Sequence, residues 1–201
     1  MKKNFLIIIF ILALLAAVAY GIFYLFSKNR SSFMLLSNPD QVIEGQTADN
    51  ISNVKNMLAL TSVFTNNGQI PDKYGCRDLD VNPPLEFSGV PEKALSLALV
   101  LDDPGAASGD FVHWLVFNID PKITGIKENS VPAGASLGMT GYGTDNYGGP
   151  CPPSGIHHYH FKLYALDSVL NLTSSADKSA LLKAMKGHIL DQTELIGTYS
   201  R

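Results

Sequence analysis

The sequence predicts a mainly β fold, a two-sheet antiparallel β-sandwich with a few short helices, preceded by an N-terminal transmembrane or signal helix. Three observations support this prediction. Several short apolar runs are bounded by turn residues, and the 201 residues include 17 glycines and 11 prolines, which end such runs. Only one segment, near the C-terminus, has clear helical spacing. One uncharged apolar stretch near the N-terminus is long enough to cross a membrane.

The N-terminal apolar stretch runs from Phe5 to Phe26, which is 22 residues without a charge, and a helix needs about 20 to cross a bilayer. The stretch continues past Tyr20, where a mature secreted protein usually turns polar, and this favours a retained anchor. The alternative is a signal peptide with an apolar region over Phe5–Leu15 and cleavage near Ala19. In either case we expect the domain outside the cytoplasm, either membrane-anchored in the periplasmic or extracellular space or secreted.

Amino-acid composition divides the chain into three segments. Residues 1–30 form the predicted anchor or signal peptide, residues 31–56 form a linker rich in Ser, Asn, Asp and Gln, and residues 57–201 form one globular domain. The formal net charge is -3, and no stretch of the sequence concentrates Lys and Arg. We therefore expect no binding to nucleic acid.

Patterns within the domain predict strands and one helix. Ala94–Leu101 and Phe111–Ile119 are almost wholly apolar and too short for a membrane span, so each is typical of a strand buried on both faces. Helical spacing over Ser174–Lys186, with a Ser or Asp cap ahead and Gly187 at the end, predicts a helix. The other predicted strands are Leu58–Phe64, Ile156–Leu166 and Glu194–Tyr199.

A rigid loop rich in Gly and Pro leads directly into the predicted strand Ile156–Leu166. Alternation along a strand places His157, Tyr159 and Phe161 on one face, and it places His158, His160 and Lys162 on the other. An imidazole and a phenol on the inner face, just after a rigid loop, are donors suited to a small anion such as phosphate.

Two further segments offer polar groups near this strand. Asp102 and Asp103 follow a buried strand, where such residues are most often turn formers. His113 interrupts an apolar strand, where a lone His is most often a core residue. Alternation places His113 on the same face as Leu115 and Phe117, with Trp114 opposite. Because three separate segments all supply Asp, His or Tyr, we expect them to form one site.

The two cysteines, Cys76 and Cys151, both lie in loops rich in turn-forming residues. In an exported domain they are a candidate disulfide, and only one pairing is possible. Two alternatives remain open from the sequence. Both thiols could be unpaired, or Cys151 could be a nucleophile that His157 activates.

Two blocks of sequence resemble a known family. The first is Asp103–Ala106 with Phe111–Leu115, and the second is Tyr147–Tyr159. They resemble the two signature blocks of the phosphatidylethanolamine-binding protein family, and most closely its bacterial and archaeal branch often labelled Raf-kinase-inhibitor-like. The resemblance extends over residues 57–201. It implies a two-sheet antiparallel β-sandwich with a small surface pocket for anions, in agreement with the fold expected from the patterns alone.

Carried over by position, the resemblance implies a ligand-binding set made of Asp103, His113, Cys151, Pro152, His157 and Tyr159. In this set both imidazoles donate N–H to phosphate oxygens and Tyr159 donates its O–H. Asp103 accepts a hydrogen bond from an imidazole, fixes its tautomer and favours its charged form. Because the set needs no Arg or Lys, we expect a modest affinity that rises as the histidines become protonated.

The function expected from these observations is a binding module, outside the cytoplasm, for phosphate-bearing or other small anionic ligands of the phospholipid-headgroup type. One alternative is a protein-interaction role as an inhibitor of a protease or kinase, and a second is a hydrolase. We expect no enzyme activity and no cofactor, since no nucleophile, base and acid stand at a recognisable spacing. We also expect no metal, since His157, His158 and His160 are divided between two faces.

Overall fold

The computed structural model describes residues 57–201. The predicted anchor or signal peptide over residues 1–30 and the linker over residues 31–56 lie outside the described residues. Among residues 57–201, no helix has the length and apolar character needed to span a membrane.

The described residues form two β-sheets, which confirms a mainly β fold with few helices. The strands are β1 (Ala59–Ser62), β2 (Gly68–Gln69), β3 (Leu85–Ser88), β4 (Ser96–Asp103), β5 (Phe111–Ile119), β6 (Gly125–Ile126), β7 (Ser136–Leu137), β8 (Ile156–Leu166) and β9 (Ile189–Ser200). A small sheet has the order β1-β3-β6, and a large sheet has the order β2-β9-β8-β4-β5-β7. All neighbours are antiparallel except β2 and β9, which pair in parallel.

Two apolar clusters cover the two faces of the large sheet. The larger cluster combines side chains of the small sheet, such as Leu60 and Phe87, with side chains of the large sheet, such as Leu99 and Phe161. The smaller cluster lies on the opposite face and includes Val100 together with residues of the helix α1 (Lys178–Met185). Because β4 is covered on both sides, all eight of its residues are buried, as its continuous apolar sequence predicts.

The helix is shorter than the predicted span Ser174–Lys186. It begins at Lys178 because the side chain of Asp177 accepts a hydrogen bond from the Ala180 N–H at 2.8 Å, an N-cap that fixes the start. Gly187 follows the helix with a φ of 86°, a left-handed conformation that favours glycine. A shorter 3-10 turn spans Asp72–Tyr74.

Two strand boundaries differ from the prediction in a way that affects the site. β4 runs two residues further than expected, so Asp102 and Asp103 are its last two residues instead of a turn that follows it. Both remain paired with neighbouring strands, Asp102 with His160 of β8 and Asp103 with Phe111 of β5. As strand residues they point to opposite faces.

The predicted orientation of His113 is wrong, because β5 contains a β-bulge. Leu101 pairs with Trp114 and Asp102 pairs with Val112, which leaves His113 as an extra residue in β5. Strict alternation is lost at this point. His113 therefore packs against Tyr159, which belongs to the same cluster as Trp114, and not with Leu115 and Phe117 in the cluster under α1.

Candidate anion-binding site

The Gly/Pro loop before β8 is held to two other parts of the domain. The Gly148 N–H donates to the His113 carbonyl at 3.0 Å, and the Cys76 N–H donates to the Pro150 carbonyl at 3.1 Å. The Gly149 N–H donates to Asp80 Oδ1 at 2.6 Å. A Cβ atom on Gly149 would lie 2.2 Å from the Tyr74 carbonyl oxygen, so only glycine fits there. These contacts fix the loop beside the first residues of β8.

Cys76 and Cys151 form a disulfide across this loop, with a Cα–Cα distance of 5.4 Å and a sequence separation of 75. Neither cysteine is therefore a free thiol, and Cys151 has no thiolate to act as a nucleophile. Its backbone N–H is instead hydrogen-bonded to the phenol of Tyr159. Pro152, the next residue, is buried. Both residues of the predicted set thus shape the loop that lines the site.

Asp103 ends β4 with a buried carboxylate that accepts two hydrogen bonds. His157 Nδ1 lies 2.6 Å from Asp103 Oδ2, and the Gly105 N–H donates to Asp103 Oδ1 at 2.9 Å. The contact between the Asp103 and His157 side chains orients the imidazole ring. It joins two residues that are 54 positions apart in the sequence.

Tyr159 lies two residues after His157 on the same face of β8, and the centroids of the two rings are 6.5 Å apart. Its side chain is buried against the main core. Burial, followed by the nearby Asp103 carboxylate, raises the pKa of Tyr159, although the hydrogen bond from the Cys151 backbone opposes the rise. Tyr159 is therefore a neutral phenol at physiological pH.

His113 is the second imidazole, and it lies on the other side of Tyr159, with ring centroids 5.1 Å apart. Its Nδ1 lies 2.7 Å from the Gly148 carbonyl oxygen. Burial lowers the pKa of His113, and this effect exceeds the opposing influence of the Gly148 carbonyl and of Asp103. The ring is therefore neutral at pH 7 in the absence of a ligand.

The partners of the two imidazoles determine their tautomers. A carbonyl and a carboxylate oxygen only accept hydrogen bonds, so Nδ1 carries the proton in both His113 and His157. In a neutral ring Nε2 then has a lone pair and cannot donate to an anion. In a protonated ring Nε2 carries a proton and donates. The expected donation from both histidines to phosphate therefore requires the imidazolium form.

Asp102, adjacent to Asp103, faces away from the site. Its fully buried carboxylate accepts two hydrogen bonds of 2.9 Å from Lys162 Nζ and also pairs with Lys178, which in turn pairs with Asp110. Within residues 57–201, no hydrogen bond or ion pair joins a Lys or Arg to Asp103, His113 or His157. The lysines of this region are engaged on the opposite face.

Two aromatic residues at the site, Phe111 and Tyr142, were not predicted from the sequence. Phe111 is the strand partner of Asp103, and its ring centroid lies 5.1 Å from that of His113. Tyr142 lies in the loop before the Gly/Pro segment, and its ring centroid is 5.7 Å from that of His113. In the sequence, Tyr142 stands between Gly141 and Gly143, and this position suggests an exposed aromatic side chain. It does not indicate that the ring packs against His113 and Phe111.

The site supplies few metal ligands. Across residues 57–201, no group of three or more His, Cys, Asp or Glu side chains could hold a metal ion. The arrangement that the structure does provide is two imidazoles and a phenol around one carboxylate, beside a fixed loop. Such a set is suited to hydrogen bonding with a small oxyanion once the imidazoles are protonated.

Comparisons with known proteins agree with this architecture. A sequence model described as phosphatidylethanolamine-binding protein matches residues 60–200. A UPF0098 protein of Methanothermobacter thermautotrophicus is 48% identical over 146 residues, which cover 70% of this chain and 97% of that protein. A UPF0098 protein of Chlamydia muridarum is 40% identical over 150 residues, which cover 72% of this chain and 99% of that protein.

Two solved structures share the fold. The crystal structure of a phosphatidylethanolamine-binding protein homologue from Chlamydia trachomatis has a TM-score of 0.70 and 39% identity, and it covers 73% of this chain and 99% of its own. The structure of YbcL from E. coli, described as a member of the mammalian PEBP family, has a TM-score of 0.68 and 27% identity, and covers 72% of this chain and 98% of its own. In each of these two structures the shared domain makes up almost the whole chain.

Proposed function

Since the chain belongs to the phosphatidylethanolamine-binding protein family, we propose that its domain binds phosphate-bearing or other small anionic ligands at the site around Asp103 and His157. The observation that supports this proposal is the 2.6 Å contact between His157 Nδ1 and Asp103 Oδ2. The contact leaves Nε2 of His157 free to donate to an oxyanion when the ring is protonated, while Asp103 balances the positive charge of the imidazolium.

His113 and Tyr159 complete the proposed ligand set. His113 is anchored through Nδ1 in the same way, so Nε2 is the nitrogen we assign to the ligand, and the Tyr159 phenol remains protonated. Three donors of this kind, on strands β5 and β8, match the several oxygens of a phosphate or phosphate ester. We propose a binding role, because these donors are sufficient to hold an oxyanion.

The proposed location is outside the cytoplasm. Two features support it, namely the apolar stretch Phe5–Phe26 in the sequence and the Cys76–Cys151 disulfide, since such bonds persist mainly in oxidising compartments. A domain held at a membrane in this way would meet phospholipid headgroups and free anions alike.

Calorimetric titration of the compact unit Asn53–Arg201 with phosphate, phosphoethanolamine and a short-chain phospholipid tests the proposal. We expect binding that is lost in His157→Ala. The matched control is His158→Ala, because His158 is exposed and lies on the opposite face of β8. This variant should bind as the native protein does.

Each other outcome has a distinct meaning. Equal loss of binding in both variants would contradict the assigned site. The absence of heat with all three ligands would overturn the proposal in favour of a protein-interaction role, which a pull-down of envelope proteins would then address. Turnover of a phosphate ester that disappears in His157→Ala would instead make the protein a hydrolase.

A further inference from the structure

We propose that Tyr142 determines ligand specificity by presenting an exposed aromatic ring to the ester group of a bound phosphate. The site would then prefer phosphate esters with an aromatic or aliphatic group over inorganic phosphate. This inference rests on the proposed function, because it assumes that a phosphate group is held near His113 and His157. The new element is the assignment of a binding surface for the ester group of the ligand.

The loop that carries Tyr142 is fixed at both ends to the strand of His113. The Gly141 N–H donates to the Val112 carbonyl at 2.8 Å, and the Gly148 N–H donates to the His113 carbonyl at 3.0 Å. Between these points, the Thr140 N–H donates to the Thr144 carbonyl at 2.8 Å, which closes a tight turn around Tyr142. The backbone on either side of the ring is therefore held in place before a ligand binds.

The ring of Tyr142 is wedged between other aromatic groups and the Gly/Pro loop. Its centroid lies 4.8 Å from that of Phe111 and 5.7 Å from that of His113, both in edge-to-face geometry. A Cβ atom on Gly148 would lie 2.3 Å from the Tyr142 ring, so the backbone of Gly148 approaches the ring closely. These contacts restrict the ring on several sides.

Nevertheless, 47% of Tyr142 is exposed to solvent. The Tyr142 ring lies beside that of His113, with ring centroids 5.7 Å apart, so the substituent of an anion bound at His113 would lie close to Tyr142. The phenol adds no charge there, because burial, together with Asp80 and Asp103, raises the pKa of Tyr142. An ester group that covers this surface would remove apolar area from water.

The expected gain in affinity follows from the apolar surface area that this contact removes from water. Covering about 50 to 60 Å² of apolar surface strengthens binding by roughly tenfold. Inorganic phosphate has no group to cover the ring and gains nothing from it. Removal of the Tyr142 ring should therefore weaken binding of a phosphate ester more than binding of inorganic phosphate.

The test is calorimetric titration of the unit Asn53–Arg201 with inorganic phosphate, phenyl phosphate and a short-chain phosphatidic acid. In the native protein, phenyl phosphate should bind about tenfold more tightly than phosphate. Tyr142→Ala should remove this difference, whereas Tyr142→Phe should keep it because the ring remains. The matched control is Val169→Ala, an exposed apolar residue beyond the far end of β8.

Equal affinities for phosphate and phenyl phosphate in the native protein would overturn the inference, and this measurement does not depend on any variant. Loss of both affinities to the same degree in Tyr142→Ala, with a native circular dichroism spectrum, would also overturn it. If no anion binds to the native protein, it is the proposed function that fails. Tighter binding of either ester that depends on Tyr142 supports the inference. If phosphatidic acid shows this dependence, the ligand is a lipid phosphate. If only phenyl phosphate shows it, the ligand is a free phosphate ester.

Discussion

Asp102 and Asp103 are adjacent in the sequence, yet their carboxylates serve opposite faces of the large sheet. Asp103 Oδ2 lies 2.6 Å from His157 Nδ1 at the candidate site, and Asp102 Oδ1 lies 2.9 Å from Lys162 Nζ beside α1. Their places as the last two residues of β4 explain this division, because alternate strand residues point to opposite faces. The Asp103 carboxylate therefore belongs to the candidate site, and the Asp102 carboxylate forms ion pairs on the opposite face of the sheet.

Asp103→Asn should weaken anion binding. The amide still accepts one hydrogen bond, but it no longer balances the positive charge of a protonated His157. We expect a loss of about tenfold, measured by calorimetric titration with phosphate. Native affinity in this variant would contradict the role of the Asp103 charge.

Anion affinity should rise as the pH falls from 8 to 5. Burial lowers the pKa of His113 below its ordinary value of 6.5, so the ring is neutral at pH 7 and must take up a proton to donate through Nε2. The nearby charged groups, Asp102 and Asp103, favour that proton. Sulfate is a suitable probe because it stays dianionic throughout this range. We expect the affinity for sulfate to rise about tenfold between pH 8 and pH 5. An affinity that does not change with pH would contradict the role of the imidazolium.

The lowered pKa of His113 also predicts how stability varies with pH. Well above pH 6.5 the ring is neutral in both the folded and the unfolded chain. As the pH falls below 6.5, the unfolded chain takes up a proton that the folded protein resists, so the free energy of unfolding should decrease. Urea unfolding between pH 7.5 and 5 measures this effect. In His113→Gln the decrease should be smaller, and an equal decrease in both proteins would assign it to other groups.

Removal of the Cys76–Cys151 disulfide should reduce both stability and affinity. The bond closes a loop with a sequence separation of 75, and cross-linking a loop of this length stabilises by on the order of 4 kcal/mol in the chain-entropy model. Affinity should also fall, since the bond holds the loop that contains the carbonyl partner of His113. Urea unfolding and phosphate titration of the double variant Cys76→Ser, Cys151→Ser measure the two effects. Unchanged affinity in a folded variant would show that the other contacts suffice to hold the loop.

Asp102→Asn should destabilise the domain through the loss of its pairs with two lysines. The fully buried carboxylate pairs with Lys162 and Lys178, and removing one charge from such a group costs about 2 to 3 kcal/mol here because both lysines can reach water. Burial acts to lower the pKa of Lys178, but its hydrogen bonds to Asp102 and Asp110 raise it overall. The matched control is Asp110→Asn, a partly exposed partner of Lys178, which should cost less than about 1 kcal/mol. Chemical denaturation provides both values, and similar losses would contradict this division.

The features of the protein that depend on local patterns could be predicted from the amino-acid sequence alone. The bounds of β8, Ile156–Leu166, agree with the prediction, and so does the placement of His157 and Tyr159 on one face, because alternation persists along an unbroken strand. The apolar runs of β4 and β5 identified the buried strands of the large sheet. With two cysteines in the chain, only one disulfide pairing was possible. The family resemblance followed from the order and spacing of the sequence motifs.

Which side chains meet at the site depends instead on the packing of strands and loops. The bulge in β5 moved His113 to the face of Trp114, and a bulge depends on the pairing of two strands, which neither strand specifies alone. The same holds for the Gly148 carbonyl that fixes the tautomer of His113 and for the ring of Tyr142 beside it. These contacts join residues far apart in the sequence. Their geometry depends on how the sheet and its loops pack, and a linear pattern does not contain that information.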